Sequence, residues 1–184
     1  DAANNQDSCS FTVTVTDTTK PTVVCPTDVA SCDPVVNGIA STTSDNCIGE
    51  TVAYTLTGTT TATGSGDVSG STFNIGVTTV TYVVTDASNN EDSCSFTVTI
   101  NPLPAVAIAA FTPDTVCETD PAINLPVGTP ATGTYSGNGV VGTTFDPSTA
   151  GVGAHYVVYS YTDSNTCTNM DSTMIVVQSC VGVD

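Results

Sequence analysis

The chain has 184 residues, of which eighteen are Asp or Glu and one is Lys or Arg, for a formal net charge of −17. That balance leaves no basic surface to neutralise phosphates, so it excludes nucleic-acid binding and charge-driven adhesion to an anionic membrane, while favouring cations. Hydrophobic residues make up 39% and charged residues only 10%, and with Val and Thr dominant this describes half-buried strands, not an acidic disordered chain.

No stretch is apolar enough to span a bilayer, so direct membrane insertion is not expected. The eight cysteines include no C-x-x-C pair. They point to disulfides and an oxidising compartment, because a zinc site needs clustered thiolates or imidazoles and His155 is the only histidine.

In residues 1–16, Cys9, Phe11, Val13 and Val15 alternate with Ser and Thr, the period-two signature of a strand with one face in a core. The same motif returns 85 residues later, where Asp86-Ala-Ser-Asn-Asn-Glu-Asp-Ser leads into Cys94, Phe96, Val98 and Ile100. An offset of that size is about one β-sandwich domain. Residues 1–16 are therefore expected to be the terminal strand of a preceding repeat, residues 17–101 a whole repeat, and residues 102–184 a second sandwich with an exit tail.

Asp17 to Pro21 reads as a linker. Thr22 to Cys25 is a short strand closed by a turn at Pro26–Asp28, and Asn37-Gly38 and Ser44–Cys47 are further turns. Val52, Tyr54 and Leu56 face a core, Gly58 to Gly70 is a loop or weak edge hairpin, and Val80, Tyr82 and Val84 point one way from the next strand. After the stiff Asn101-Pro-Leu-Pro104, strand candidates cover 106–111, Cys117, 122–125, 133–136, 156–161 and 174–177. No segment has helical periodicity. Short strands parted by turns every eight to twelve residues predict an all-β fold of tandem immunoglobulin-like β-sandwiches.

Cys25-Pro26, Asp45-Asn46-Cys47, the run from Gly70 to Tyr82, Asp86 to Asn90 and Cys94-Ser-Phe96 together resemble the hyalin repeat, or HYR domain. That resemblance implies an immunoglobulin-like sandwich of extracellular adhesive proteins, giant surface adhesins of gliding Bacteroidota among them. Asn89 stands where the family pattern has glycine, and Asn also tolerates left-handed backbone. The run from Val116-Cys117 through Gly133–Val140 and Tyr159–Asp163 to Cys167 resembles an immunoglobulin- or PKD-like module of secreted Bacteroidota proteins.

Cys25, Cys32, Cys47 and Cys94 allow three pairings within the first domain. The resemblance implies Cys25–Cys94, which leaves Cys32 with Cys47. In the second module the expectation is Cys117–Cys167, tying an early strand to a late one. Cys9 and Cys180 are then left to pair outside this chain, Cys9 with a preceding repeat or with Cys180 of a neighbouring copy.

Gly137-Asn-Gly139-Val-Val-Gly142 has dinucleotide-site spacing, but the sequence Thr143-Thr-Phe-Asp-Pro147 after it is not expected to open the helix that fingerprint requires. His155 has no nucleophile at a recognised spacing, so catalysis is not expected. Calcium wants six to eight hard oxygens, and Asp17 with Asp86, Asn89, Asn90, Glu91 and Asp92 is the candidate set. Asp163, Asn165, Asn169 and Asp171 step by twos but lack the glycine and closing glutamate of an EF-hand. Asn-x-Ser/Thr is absent. The three-residue O-glycosylation pattern of Bacteroidota marks Thr18, Thr115 and Ser172.

The expected function is mechanical: a non-catalytic segment of a long extracellular, cell-surface adhesin or stalk. Its expected partners are neighbouring repeats or copies of itself, and surface polysaccharide or another cell. The alternative is a filament subunit assembled by strand addition between copies.

Overall fold

Alternating Val/Tyr/Phe and Thr/Ser positions become strands because each strand buries one edge of its pleat and leaves its hydroxyls outside. In a computed structural model, which describes residues 2–180, the chain is 46% strand and 2% helix. It divides into two compact units, the first from Asp1–Val29 and Pro34–Thr99, the second from Ala30–Asp33 and Ile100–Asp184. Both are all-β, as the sequence predicts, and immunoglobulin-like sandwiches describe them. No helix among the described residues is long and apolar enough to cross a membrane.

The first unit is built on β1 (Thr22–Val24), β2 (Val29–Ser31, of which Ala30 and Ser31 are counted with the second unit), β3 (Val35–Val36), β4 (Thr42–Ser44), β5 (Thr51–Gly58), β6 (Ala62–Ser65), β7 (Ser71–Thr72), β8 (Gly76–Thr85) and β9 (Glu91–Ile100, less its last residue). A five-stranded sheet has the order β2-β9-β8-β5-β6, beside pairs β1-β4 and β3-β7. Val80, Tyr82 and Val84 on β8 are fully buried, as expected, with Phe96 and Val98 on β9, Leu56 on β5, and Val23, Val36, Ile39, Val68 and Phe73. Tyr82 stacks on Phe96, and its hydroxyl donates to Ile39 O at 2.9 Å while accepting from Val68 N at 3.2 Å. The 58–70 stretch forms the edge strand β6, paired to β5.

The second unit contains β10 (Ala107–Ile108), β11 (Thr115–Cys117), β12 (Ile123–Asn124), β13 (Gly128–Thr129), β14 (Thr134–Ser136), β15 (Val140–Val141), β16 (Thr144–Phe145), a one-turn helix α1 (Pro147–Ala150), β17 (Gly153–Thr162) and β18 (Thr168–Gln178). A four-stranded sheet β11-β18-β17-β14 and a three-stranded sheet β12-β16-β15 share one core of Phe111, Val116, Leu125, Phe145, Val157, Ile175 and Val177. Tyr159 lies against Gly128 and Gly133, where a Cβ would come within 2.5 Å and 2.3 Å of the ring. Only glycine fits there, and the Tyr159 hydroxyl accepts from Gly133 N at 2.7 Å.

Two expectations fail. Residues 5–21 form no strand, and Phe11, Val13 and Val15 are 87%, 71% and 90% exposed. A strand needs neighbours; this chain carries one β8 and one β2 to flank the motif, and β9 takes both. The second is α1. Asp146 caps it, accepting from Ser148 N and Thr149 N, and Pro147 sits in its first turn, where its missing N–H costs nothing. The segment after Gly142 does open a helix, but one of four residues that follows β16, so the glycine run is a turn between strands.

Candidate functional site

The disulfides set the framework. Cys25 pairs with Cys94 at a Cα separation of 5.7 Å, as the family resemblance implied. Cys32 pairs with Cys167, not Cys47, at 5.6 Å, and Cys117 pairs with Cys180, not Cys167, at 5.4 Å. Both corrections follow from the fold. β11 runs parallel to β18 with Cys117 opposite Gln178, so Cys180 follows at once, while Cys167 lies before the far end of β18, ~35 Å away at ~3.3 Å per residue. Cys32 belongs to the Ala30–Asp33 segment of the second unit, where it meets the buried Cys167; Cys47 lies exposed in the β4–β5 loop. Cys9 and Cys47 are the free thiols, both exposed, and Cys180 pairs inside the chain.

The β8–β9 turn is the second feature. Asp86 is only 6% exposed. Its Oδ1 accepts from Ser88 N at 2.8 Å and Asn90 N at 2.7 Å, and its Oδ2 from Asn90 Nδ2 at 2.8 Å. Asn89 adopts φ 67°, the left-handed conformation anticipated for it. The Asn90 amide also donates to Asp17 O at 3.2 Å, fastening the segment that enters β1. Asp17 in turn accepts from Thr19 N at 2.9 Å and from Asn46 Nδ2 at 3.2 Å.

These bonds gather three carboxylates. One oxygen from each of Asp17, Asp45 and Asp86 lies within 4.8 Å of the others. Asp45 Oδ1 has under 1 Å² of accessible surface and no hydrogen-bond partner; the other oxygen accepts from Cys47 N at 3.2 Å. The Thr19 amide, then the Cys47 thiol, hold the Asp17 carboxyl below its usual range. The bond to Asp17, then burial and the charges of Asp17, Asp45 and Asp86, push the Cys47 thiol up.

Of the predicted calcium set, the structure thus brings Asp17, Asp86 and Asn90 together, with Asn90 as a donor. Asn89 shapes the turn. Glu91 accepts from Thr85 Oγ1 at 3.3 Å, and Asp92 lies elsewhere, accepting from Val23 N at 3.2 Å. Sequence reasoning missed Asp45, for which the Asp45-Asn46-Cys47 turn was the only signal. The second acidic series disperses: Asp163 caps the β17–β18 turn, accepting from Asn165 N and Cys167 N, Asn169 donates to Pro104 O, and Asp171 accepts from Ile108 N. His155 sits on β17 with Nε2 2.7 Å from Gly151 O. Thr18, Thr115 and Ser172 are all exposed.

Two all-β units, a disulfide framework and an acidic turn define the class: an immunoglobulin-like β-sandwich protein. Residues 16–100 match the family model described as HYR domain, in agreement with the resemblance carried by the cysteine and turn motifs. Relatives include hyalin of Strongylocentrotus purpuratus, 40% identical over 103 residues, covering 54% of this chain and 8% of hyalin. Another is the serine-rich adhesin for platelets of Staphylococcus aureus strain MRSA252, 39% identical over 101 residues, covering 52% of this chain and 7% of the adhesin. The chain spans less than a tenth of the length of these relatives. Among solved structures, the fibronectin(III)-like modules of Clostridium thermocellum CbhA align at TM-score 0.39 and 14% identity, over 86% of this chain and 95% of theirs. A Ca2+-stabilized adhesin with which an Antarctic bacterium binds ice aligns at TM-score 0.41 and 17% identity, over 90% of this chain and 50% of its own.

Proposed function

We propose that the chain is a non-catalytic, tension-resisting segment of an extracellular adhesive protein, with residues 16–100 as its HYR domain and the second unit as a further immunoglobulin- or PKD-like module. The observation that carries this reading is the set of three disulfides, which gives a pull between Cys25 and Cys180 two covalent routes. Cys32–Cys167 overlaps the spans of both Cys25–Cys94 and Cys117–Cys180. The shorter route follows seven residues from Cys25 to Cys32, crosses to Cys167 and follows thirteen more to Cys180; the other crosses to Cys94, follows 23 residues to Cys117 and crosses to Cys180. The shorter route is ~70 Å at full stretch, against ~540 Å for the whole chain from Cys25 to Cys180 without disulfides. A stalk or adhesin repeat that must keep its reach under load needs such a limit, and an oxidising, cell-surface location keeps the bonds closed.

Neighbouring repeats, surface polysaccharide or another cell are the partners this role implies, and the exposure of Thr18, Thr115 and Ser172 supports O-glycan attachment there. The filament reading has one observation in its favour: residues 9–15 keep a strand's alternation with no sheet. Against it, β9 already fills the place in the first unit that an added copy of the motif would take. Immunogold electron microscopy of unpermeabilised cells tests the proposal. Label on irregular strands outside the cell supports it; label on rods with a regular repeat one chain long favours the filament, and label confined to the cell interior rejects both.

A further inference from the structure

We infer that the carboxylates of Asp17, Asp45 and Asp86 form a binding site for one hard divalent cation of the calcium class, which pins the entry segment to the β4–β5 loop and the β8–β9 turn of the first unit. Two observations carry this. Three carboxylate oxygens lie within 4.8 Å of one another, a spacing that a single ion with ligands at ~2.3–2.6 Å can bridge. Independently, Asp45 Oδ1 is buried without a partner, and an unpaired charged oxygen withdrawn from water is costly unless a ligand satisfies it.

Among the described residues no cationic side chain bonds to these three carboxylates. The chain's one basic side chain, Lys20, lines a separate hollow with Val83, Glu91, Asp92 and Ser93. The donors around the three carboxylates are neutral: the amides of Asn46 and Asn90 and the backbone of Thr19, Cys47, Ser88 and Asn90. They orient the oxygens and leave the summed negative charge in place. All three ligands are carboxylates, which select a hard ion over a soft one. Asn90, which donates to both Asp17 O and Asp86 Oδ2, is a positioning residue and not a ligand.

The test is isothermal titration of the chelator-treated full chain with CaCl2, paired with calorimetric melting in CaCl2 or EDTA. One saturable Ca2+ per chain and a higher melting temperature in CaCl2 are expected. Asp45→Asn and Asp17→Asn should each weaken binding by about tenfold or more and abolish the thermal shift. Asp114→Asn, which alters an exposed acid elsewhere, should change neither. Asp17 lies on the entry segment outside the core, so its variant reports even if Asp45→Asn misfolds. The proposal is overturned by an absence of saturable binding, or by weak multi-site binding equal in the wild type and both site variants, the behaviour of a diffuse counterion cloud.

Discussion

Asp86 shows how one side chain organises a turn. It accepts three hydrogen bonds from the four residues that follow it, so Asp86→Ala strands two backbone donors in a partly buried turn. A loss of about 1–3 kcal/mol is expected from denaturant unfolding. Asp28 does a similar task at long range, accepting from Thr97 N at 2.7 Å, and that amide holds its carboxyl below the usual range. A folded-state pKa below the unfolded one stabilises above the unfolded value and is lost as pH falls through the folded one. The melting gap between wild type and Asp28→Asn should therefore be open above about pH 4 and close on acidification; a gap that widens in acid contradicts the assignment. At Cys47 the Asp17 carboxylate opposes thiolate formation. In a Cys9→Ser background, Asp17→Asn should make alkylation of Cys47 faster at neutral pH, read by mass spectrometry. Local chemistry of this kind was legible in the sequence: Asp86, Asn89 and Asn90 signal their turn. The arrival of Asp45 was not, because loops 41 residues apart meet only once the sheets have formed.

At the scale of elements, one motif takes two states. Asp-Ser-Cys-Ser-Phe-Thr-Val-Thr is strand β9 at 92–99 and strandless at 7–14, so alternation reports a capacity for pairing and neighbours decide whether it is used. Alternation in the sequence also marks β5, β8 and the core residues Val80, Tyr82, Val84, Phe96 and Val98. It could not reveal that β11 lies parallel to β18, and the cysteine pairings depend on that register. Replacing Cys117 and Cys180 by Ser should cost about 4 kcal/mol on the loop-entropy relation for a 63-residue span, measured by denaturant unfolding. Cys47→Ser, at a free thiol, should cost far less; an equal loss would mean that Cys47 is bridged.

For the whole molecule, the all-β fold of immunoglobulin-like sandwiches was legible in the sequence. The excursion of residues 30–33 into the second unit has no sequence signal, since Cys32 differs in no local way from a cysteine that pairs at home. Yet that pairing adds a second, slightly shorter covalent route, ~70 Å against ~80 Å through Cys25–Cys94 and Cys117–Cys180, to the cap on how far the chain can be drawn out. Single-molecule pulling between handles at the two ends, before and after a reductant, measures this cap directly. Unfolding without reductant should leave the stretch from Cys25 to Cys180 at ~70 Å, and reduction should release it toward ~540 Å. Release of the full length while all disulfides are intact would contradict the tension-resisting account.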